Sequence, residues 1–278
     1  MPSVTARINQ IKQPRGGFIK PSDMMVEQQN DGVVLNQEEN VHASIVGMAV
    51  DYLTRLINGA EPEDAFGISL RGAKLAGELG FKDAFTVAVK LLSDIKGLDD
   101  KSIISACKLV TFDVWFRNTP AAMMAKTYKE TNPDKETVDN IKTMVQRSLA
   151  FIKKYGPIVQ DGFTFEPVNG KESDYRKMVE TGKGTWGGYT GTVDTGDGDF
   201  LTADTLWDFK VTVSEPTNKH TLQLLMYWIM GQHSRQPIYK EITKIGIFNP
   251  RLNKVYIFRI DDLPQEVIKV VEDEIICY

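Results

Sequence analysis

The hydrophobic period of this chain changes once, near residue 160, and that change limits the folds open to it. From about residue 41 to 155 the apolar residues recur at helical spacing. HASIVGMAVDYLTRLIN sets Ile45, Met48, Ala49, Tyr52, Leu53 and Leu56 on one stripe. EDAFGISLRGAKLAGELG, KDAFTVAVKLLSDIKG, DKSIISACKLVTFDVWF and KETVDNIKTMVQRSLAFIKKYG continue the pattern, broken at Gly80, at Gly97 and around Pro120 and Pro133. Beyond about residue 161 the pattern becomes one of short runs rich in β-branched and aromatic residues: DGFTFEPV, GGYTGTVD, DTLWDFKV, TKIGIFNP and NKVYIFRI. A helix is predicted over about 219–231 and another after Asp262. The order strand, strand, strand, helix, strand, strand, helix, preceded by a large all-helical region, predicts an α+β (α/β) fold with a mixed sheet flanked by helices. The chain shows no fixed-period repeat and no low-complexity tract.

Composition removes several function classes. The 278 residues include two cysteines, Cys107 and Cys277, at no metal-ligand spacing, which speaks against a disulfide framework, a zinc finger and a four-cysteine iron–sulfur cluster. No apolar run reaches the roughly 20 residues of a membrane span, and the N-terminus has no apolar secretory segment, so the expected location is the reducing cytoplasm, away from membranes. A formal charge of −4 does not advertise a nucleic-acid binder. Residues 1–22, however, carry Arg7, Lys12, Arg15 and Lys20 without an acid. The predicted division is a basic N-terminal arm over 1–40, a helical region over 41–157 and a strand-rich core over 158–278.

Within the core, LWDFKV poses a physical problem. Leu206, Trp207, Phe209 and Val211 suit a buried pleated surface, yet Asp208 and Lys210 are poor strand formers and rarely buried unpaired. Alternation puts Leu206, Asp208 and Lys210 on one face and Trp207, Phe209 and Val211 on the other. A carboxylate and an ammonium about 7 Å apart along the strand then face a polar pocket, or form an ordinary ion pair on a solvated face. GYTGTVD ends in Asp194, and the intervening TGDGDF reads as a hairpin turn with Gly196 and Gly198 at positive φ, bringing Asp194 and Asp208 to the ends of adjacent strands. Two carboxylates that close need a cation or a proton, and such oxygen-rich sites hold Mg²⁺ or Mn²⁺. In NKHTLQLLMYWIMG, Gln223 and Tyr227 lie at i and i+4 on one helix face.

Other motifs fail on inspection. DTGDGD has its glycines in the wrong places for a calcium loop and Thr205 where the twelfth-position Glu belongs. The lysine of TGKGTWGG is followed by Gly and leads into a strand, unlike a phosphate loop. His220 and His233 lack a nucleophile in a recognisable motif such as GxSxG.

G-T-V-D, W-D-F-K and a helix bearing Q-L-L-M-Y together resemble the PD-(D/E)XK nuclease superfamily, in particular its RecB-type exonuclease branch with a Q-x-x-x-Y motif. The resemblance covers roughly residues 160–260 and implies a restriction-endonuclease-like core. It implies that Asp194 and Asp208 are metal ligands, that Lys210 is the catalytic lysine, and that Gln223 and Tyr227 form the fourth motif. It also offers Glu166 of FTFEP and His42 of EENVHASIVG as further metal ligands. The cysteines that iron–sulfur members of this branch use are missing, so no cluster is expected.

The chemistry implied is metal-dependent hydrolysis of DNA phosphodiester bonds, leaving 5′-phosphate and 3′-hydroxyl ends. Asp194, Asp208 and the Phe209 carbonyl would hold the Mg²⁺ or Mn²⁺, and Lys210 would orient or deprotonate the attacking water. An exonuclease of phage, mobile-element or bacterial repair or defence origin fits best. Its partners would be DNA and a second copy or a recombination or defence protein. The alternatives are a catalytically inactive module of the same fold that binds nucleic acid or protein, and an unrelated α+β domain with a structural ion pair.

Overall fold

A computed structural model describes residues 3–165 and 187–278. The chain divides into two compact units, one made of the described residues of Met1–Gln29, Phe151–Asn249 and Lys254–Tyr278, the other of Asn30–Ala150 and Pro250–Asn253. In chain order the elements are α1 (Val4–Gln10), β1 (Met25–Gln28), α2 (Ala43–Ile57), α3 (Pro62–Ala65), α4 (Gly67–Glu78), α5 (Ala84–Asp94), α6 (Asp100–Leu109), α7 (Asp113–Arg117) and α8 (Thr119–Ala122). They continue as α9 (Lys135–Tyr155), β2 (Gln160–Phe165), β3 (Gly196–Leu201), β4 (Thr205–Phe209), α10 (Asn218–His233), β5 (Lys244–Asn249), β6 (Lys254–Arg259) and α11 (Gln265–Val270).

The first unit is α+β, built on a six-stranded mixed sheet of order β1-β6-β5-β4-β3-β2. Neighbours are antiparallel except β4 and β5, which run parallel. A parallel pair needs a crossover, and α10 supplies it. Its apolar residues Leu222, Leu225, Met226 and Ile229 are fully buried in one core with Leu201, Leu206, Ile245 and Ile247 of the sheet. On the opposite face Phe200, Trp207, Phe248 and Val255 pack with Phe151, whose ring stacks on Phe248 at 4.2 Å between centroids. The Trp207 indole N–H, which burial would otherwise leave without a partner, donates to Thr202 Oγ1 at 2.9 Å. Both faces of β4 are therefore packed, and the polar face predicted for Leu206, Asp208 and Lys210 begins only at Asp208.

Two sequence expectations are corrected here. Part of the predicted basic arm over 1–40 is built into the fold: α1 buries Val4 and Ile8, and β1 adds an edge strand antiparallel to β6. Arg7 is used structurally, donating to the carbonyls of Ile275 at 2.9 Å and Glu274 at 3.0 Å. A seven-residue helix with two buried apolar positions four apart is too short for a periodic signal. Secondly, the predicted turn TGDGDF contains strand β3, and the tight turn falls after it, where Thr202 N–H donates to the Thr205 carbonyl at 3.0 Å. Neither Gly196 nor Gly198 has positive φ. The glycines make room: a Cβ on Gly198 would lie 2.0 Å from Phe163 Cζ, and one on Gly196 3.1 Å from Tyr227 Cε1.

The second unit is helical. Its stretch 100–116, read as one helix, is α6, a 3₁₀ turn over Val110–Phe112 and α7. At this turn α4 approaches so closely that a Cβ on Gly72 would sit 2.0 Å from the Phe112 carbonyl oxygen. The buried Asp113 ties the turn to its surroundings, accepting from Tyr52 Oη at 2.6 Å and Ser69 Oγ at 2.5 Å. Burial pushes the Asp113 carboxyl above its ordinary range, against these hydrogen bonds and the Arg117 charge.

Candidate active site

The site grows from the end of β4. Parallel pairing to β5 continues one residue past the strand, where Lys210 N–H donates to the Phe248 carbonyl at 3.0 Å. The Lys210 ammonium lies 3.0 Å from Asp208 Oδ1, with side-chain exposures of 30% and 6%. Asp208 Oδ2 is buried and has no hydrogen-bond partner among the described residues. An anionic oxygen in that setting carries a desolvation cost that the single ion pair does not remove.

The ladder beside it opens. β3 and β4 pair at Phe200–Trp207 and Leu201–Leu206, and beyond that the Asp199 carboxylate takes the Phe209 N–H at 2.5 Å. A side chain thus occupies the place of a ladder carbonyl at the point where Asp208 and Lys210 emerge. Burial disfavours the Lys210 ammonium, but the Asp208 and Asp199 carboxylates, the hydrogen bond to Asp208 and the more distant Asp197 outweigh it and hold the pKa above the ordinary lysine value.

From α10, Gln223 Nε2 donates to Tyr227 Oη at 3.0 Å, as the i, i+4 spacing requires. Tyr227 is 3% exposed and packs edge-on against Phe163 at 5.5 Å. Burial first, then the charges of Asp197 and Asp208, push its phenol far above the ordinary value, so it stays neutral. His220, one turn earlier, has a lowered pKa from burial and from the Lys210 charge, opposed by Asp208. Thr217 N–H donates to its Nδ1 at 3.2 Å.

The structure therefore gathers Asp208, Lys210, Gln223 and Tyr227 around one strand end. It adds Asp199 and Asp197, which the sequence did not mark out, and His220, which the sequence offered only as a hydrolase histidine without a nucleophile. The alternation of Gly and Asp in GDGDF carried the signal: two acids two residues apart on a strand lie on one side. Asp194 is 9% exposed and precedes β3, and its Oδ1 accepts from Thr195 Oγ1 at 3.1 Å. Glu166 lies outside the described residues. His42, in the helical unit, is the N-cap of α2, its Nδ1 accepting from Ser44 N–H at 3.2 Å. Among the described residues, no group of three or more His, Cys, Asp or Glu side chains is arranged to hold a metal ion. No helix of these residues is long and apolar enough to cross a membrane.

No family model matches this chain, and neither the curated proteins nor the solved structures contain a significant match to it.

Proposed function

We propose that this protein is a metal-dependent nuclease that hydrolyses DNA phosphodiester bonds, acting as an exonuclease through Asp208 and Lys210 on a restriction-endonuclease-like core. The observation that carries this reading is the buried Asp208 Oδ2, a carboxylate oxygen with no hydrogen-bond partner among the described residues, set beside a lysine on an opened strand end. An oxygen of that kind suits a hard divalent cation. The order of antiparallel β2, β3 and β4, crossover helix α10 and parallel β5 supports the reading, as does the Gln223–Tyr227 pair behind the site.

On this proposal Asp208, Asp194 and the Phe209 carbonyl would hold Mg²⁺ or Mn²⁺. The bound ion would polarise phosphate oxygens and lower the pKa of its water. Lys210, held as the ammonium by its acidic neighbours, donates to the oxygens on which negative charge grows in the transition state. Tyr227, kept neutral, positions Gln223 for hydrogen bonding. Asp199 fixes the Phe209 amide and with it the strand end that presents Asp208 and Lys210.

The test is purified protein on labelled linear, circular and single-stranded DNA with Mg²⁺, Mn²⁺ or EDTA. Cleavage of linear DNA with divalent ion, loss in EDTA and sparing of circles are expected. Cutting of circles would make the enzyme an endonuclease. The second reading is a binding module of the same fold without catalysis. DNA binding with no cleavage under any metal would select it.

A further inference from the structure

We propose that the helical unit carries a binding site for single-stranded nucleic acid, in a pocket of about 570 Å³ where bases stack on aromatic rings and lysines meet the phosphates. The walls are aromatic. Phe81 tilts against Trp115 at 4.8 Å between centroids, and Phe112 stacks with Tyr128 at 5.8 Å. Phe81, which lines this pocket, leaves 48% of its surface exposed, so part of the ring is open to a stacking partner.

The charge around the rings is one-sided. Lys82, Lys126 and Lys129 line the pocket against a single lining acid, Asp83, and all three lysines are exposed. None of the three forms a salt bridge among the described residues. The neighbouring Glu130 carboxylate is occupied by Thr127, whose N–H and hydroxyl it accepts at 3.0 and 2.8 Å. Tyr128 also lines a second pocket of about 580 Å³ that carries Lys90, Lys101 and Lys108. There the one acid, Asp94, is already paired with Lys101 at 2.8 Å. Aromatic rings and an excess of lysines thus follow one track through two adjoining pockets that share Tyr128, over whose ring Lys129 Nζ lies at 5.8 Å from the centroid.

Single-stranded nucleic acid has the matching chemistry: π faces free to stack and one negative charge per nucleotide. An acidic peptide would match the lysines but would bury its backbone N–H and C=O groups against a mainly apolar wall. A duplex hides its base faces. The site does not depend on the nuclease reading, since it uses none of the residues near β4.

The experiment uses the full chain carrying Asp208→Asn, in EDTA, so that failure of binding and failure of catalysis are separately visible. Fluorescence anisotropy with a labelled oligo-dT of about 15 nucleotides is expected to show binding that weakens with salt. The double variant Lys126→Gln/Lys129→Gln should bind roughly 10-fold more weakly and flatten the slope of log K against log salt by about 1.4, two released counterions at 0.7 each. Phe81→Leu, which keeps an apolar side chain at a half-exposed position, should lose on the order of 10-fold with the salt slope unchanged. Absence of binding, undiminished binding in both variants with unchanged melting curves, or competition by blunt duplex or polyglutamate as effective as by oligo-dT would each overturn the proposal.

Discussion

Asp208 has one oxygen on the Lys210 ammonium and one with no partner among the described residues, so its charge is poorly accommodated by those groups alone. Removing that charge while keeping its shape separates stability from function. Asp208→Asn is expected to melt at or above the wild-type temperature while losing divalent-ion-dependent cleavage, the trade-off of a site strained for function. Lys210→Met should lower cleavage by roughly 100- to 1000-fold, the scale of removing one preorganised charge-stabilising group. It should also lower the melting temperature, because it strands the Asp208 carboxylate. Melting curves read beside cleavage rates check both, and an Asp208→Asn protein that melts well below wild type would mean that the pair is structural. At this scale the sequence was informative. Asp and Lys two apart in an apolar strand are conspicuous because each violates burial statistics, and the structure brings them into contact. Asp199 was hidden because its role depends on where the β3–β4 ladder ends.

At the scale of elements, β3 and the end of α9 show how single positions hold segments together. Gly198→Ala would drive a methyl into the Phe163 ring, and the expected loss is about 1–3 kcal/mol, as for overpacking. Combining it with Phe163→Leu should recover part of that loss, a coupling that denaturant melts of the double-mutant cycle measure. In the helical unit, Arg147 uses its guanidinium on two segments: Asp31 at 2.6 and 3.1 Å with the Val33 carbonyl at 2.7 Å, and the Pro250 and Arg251 carbonyls at 3.0 and 3.2 Å. Arg147→Met is expected to destabilise by about 3–5 kcal/mol, since it leaves a paired carboxylate and three carbonyls without their donor. Hydrogen bonds from Arg147, first among the causes, hold the Asp31 carboxyl below its ordinary pKa of 3.8. A lowered native pKa stabilises the fold above 3.8 and gives up that stability as the pH falls through the lowered value. Asp31→Asn should therefore flatten the acid limb of stability against pH, measured by thermal melts from neutrality down to about pH 2.

For the molecule as a whole, the N-terminal segment tests how far pattern reading reaches. Val4, Ile8, Ile19 and Met24 are each 5% exposed or less, and Thr221 Oγ1 donates to the Ile19 carbonyl at 2.7 Å. Deleting residues 1–29 should cost the strand-bearing unit several kcal/mol, at about 1.5–3 kcal/mol for each buried apolar side chain, a large part of a domain's usual net stability. Circular dichroism melts and limited proteolysis check this. A truncated protein as stable as the full chain would restore the picture of a free basic arm. The sequence by itself determined the change from helical to strand period, the crossover helix and the charged pair on β4. Each is a local pattern, written in side chains one to four residues apart and enforced by burial of one face. Only the tertiary structure decided that residues 25–28 close one edge of the sheet and that GDGDF is a strand. It alone gave Asp199 the Phe209 amide and Arg147 its two partner segments. Those outcomes depend on partners far away in sequence: the β6 edge, the Phe163 and Tyr227 rings that need the space of a missing Cβ, and carbonyls about 100 residues distant from their donor. No local periodicity encodes such partners, because the energy that selects them is released only when the segments meet.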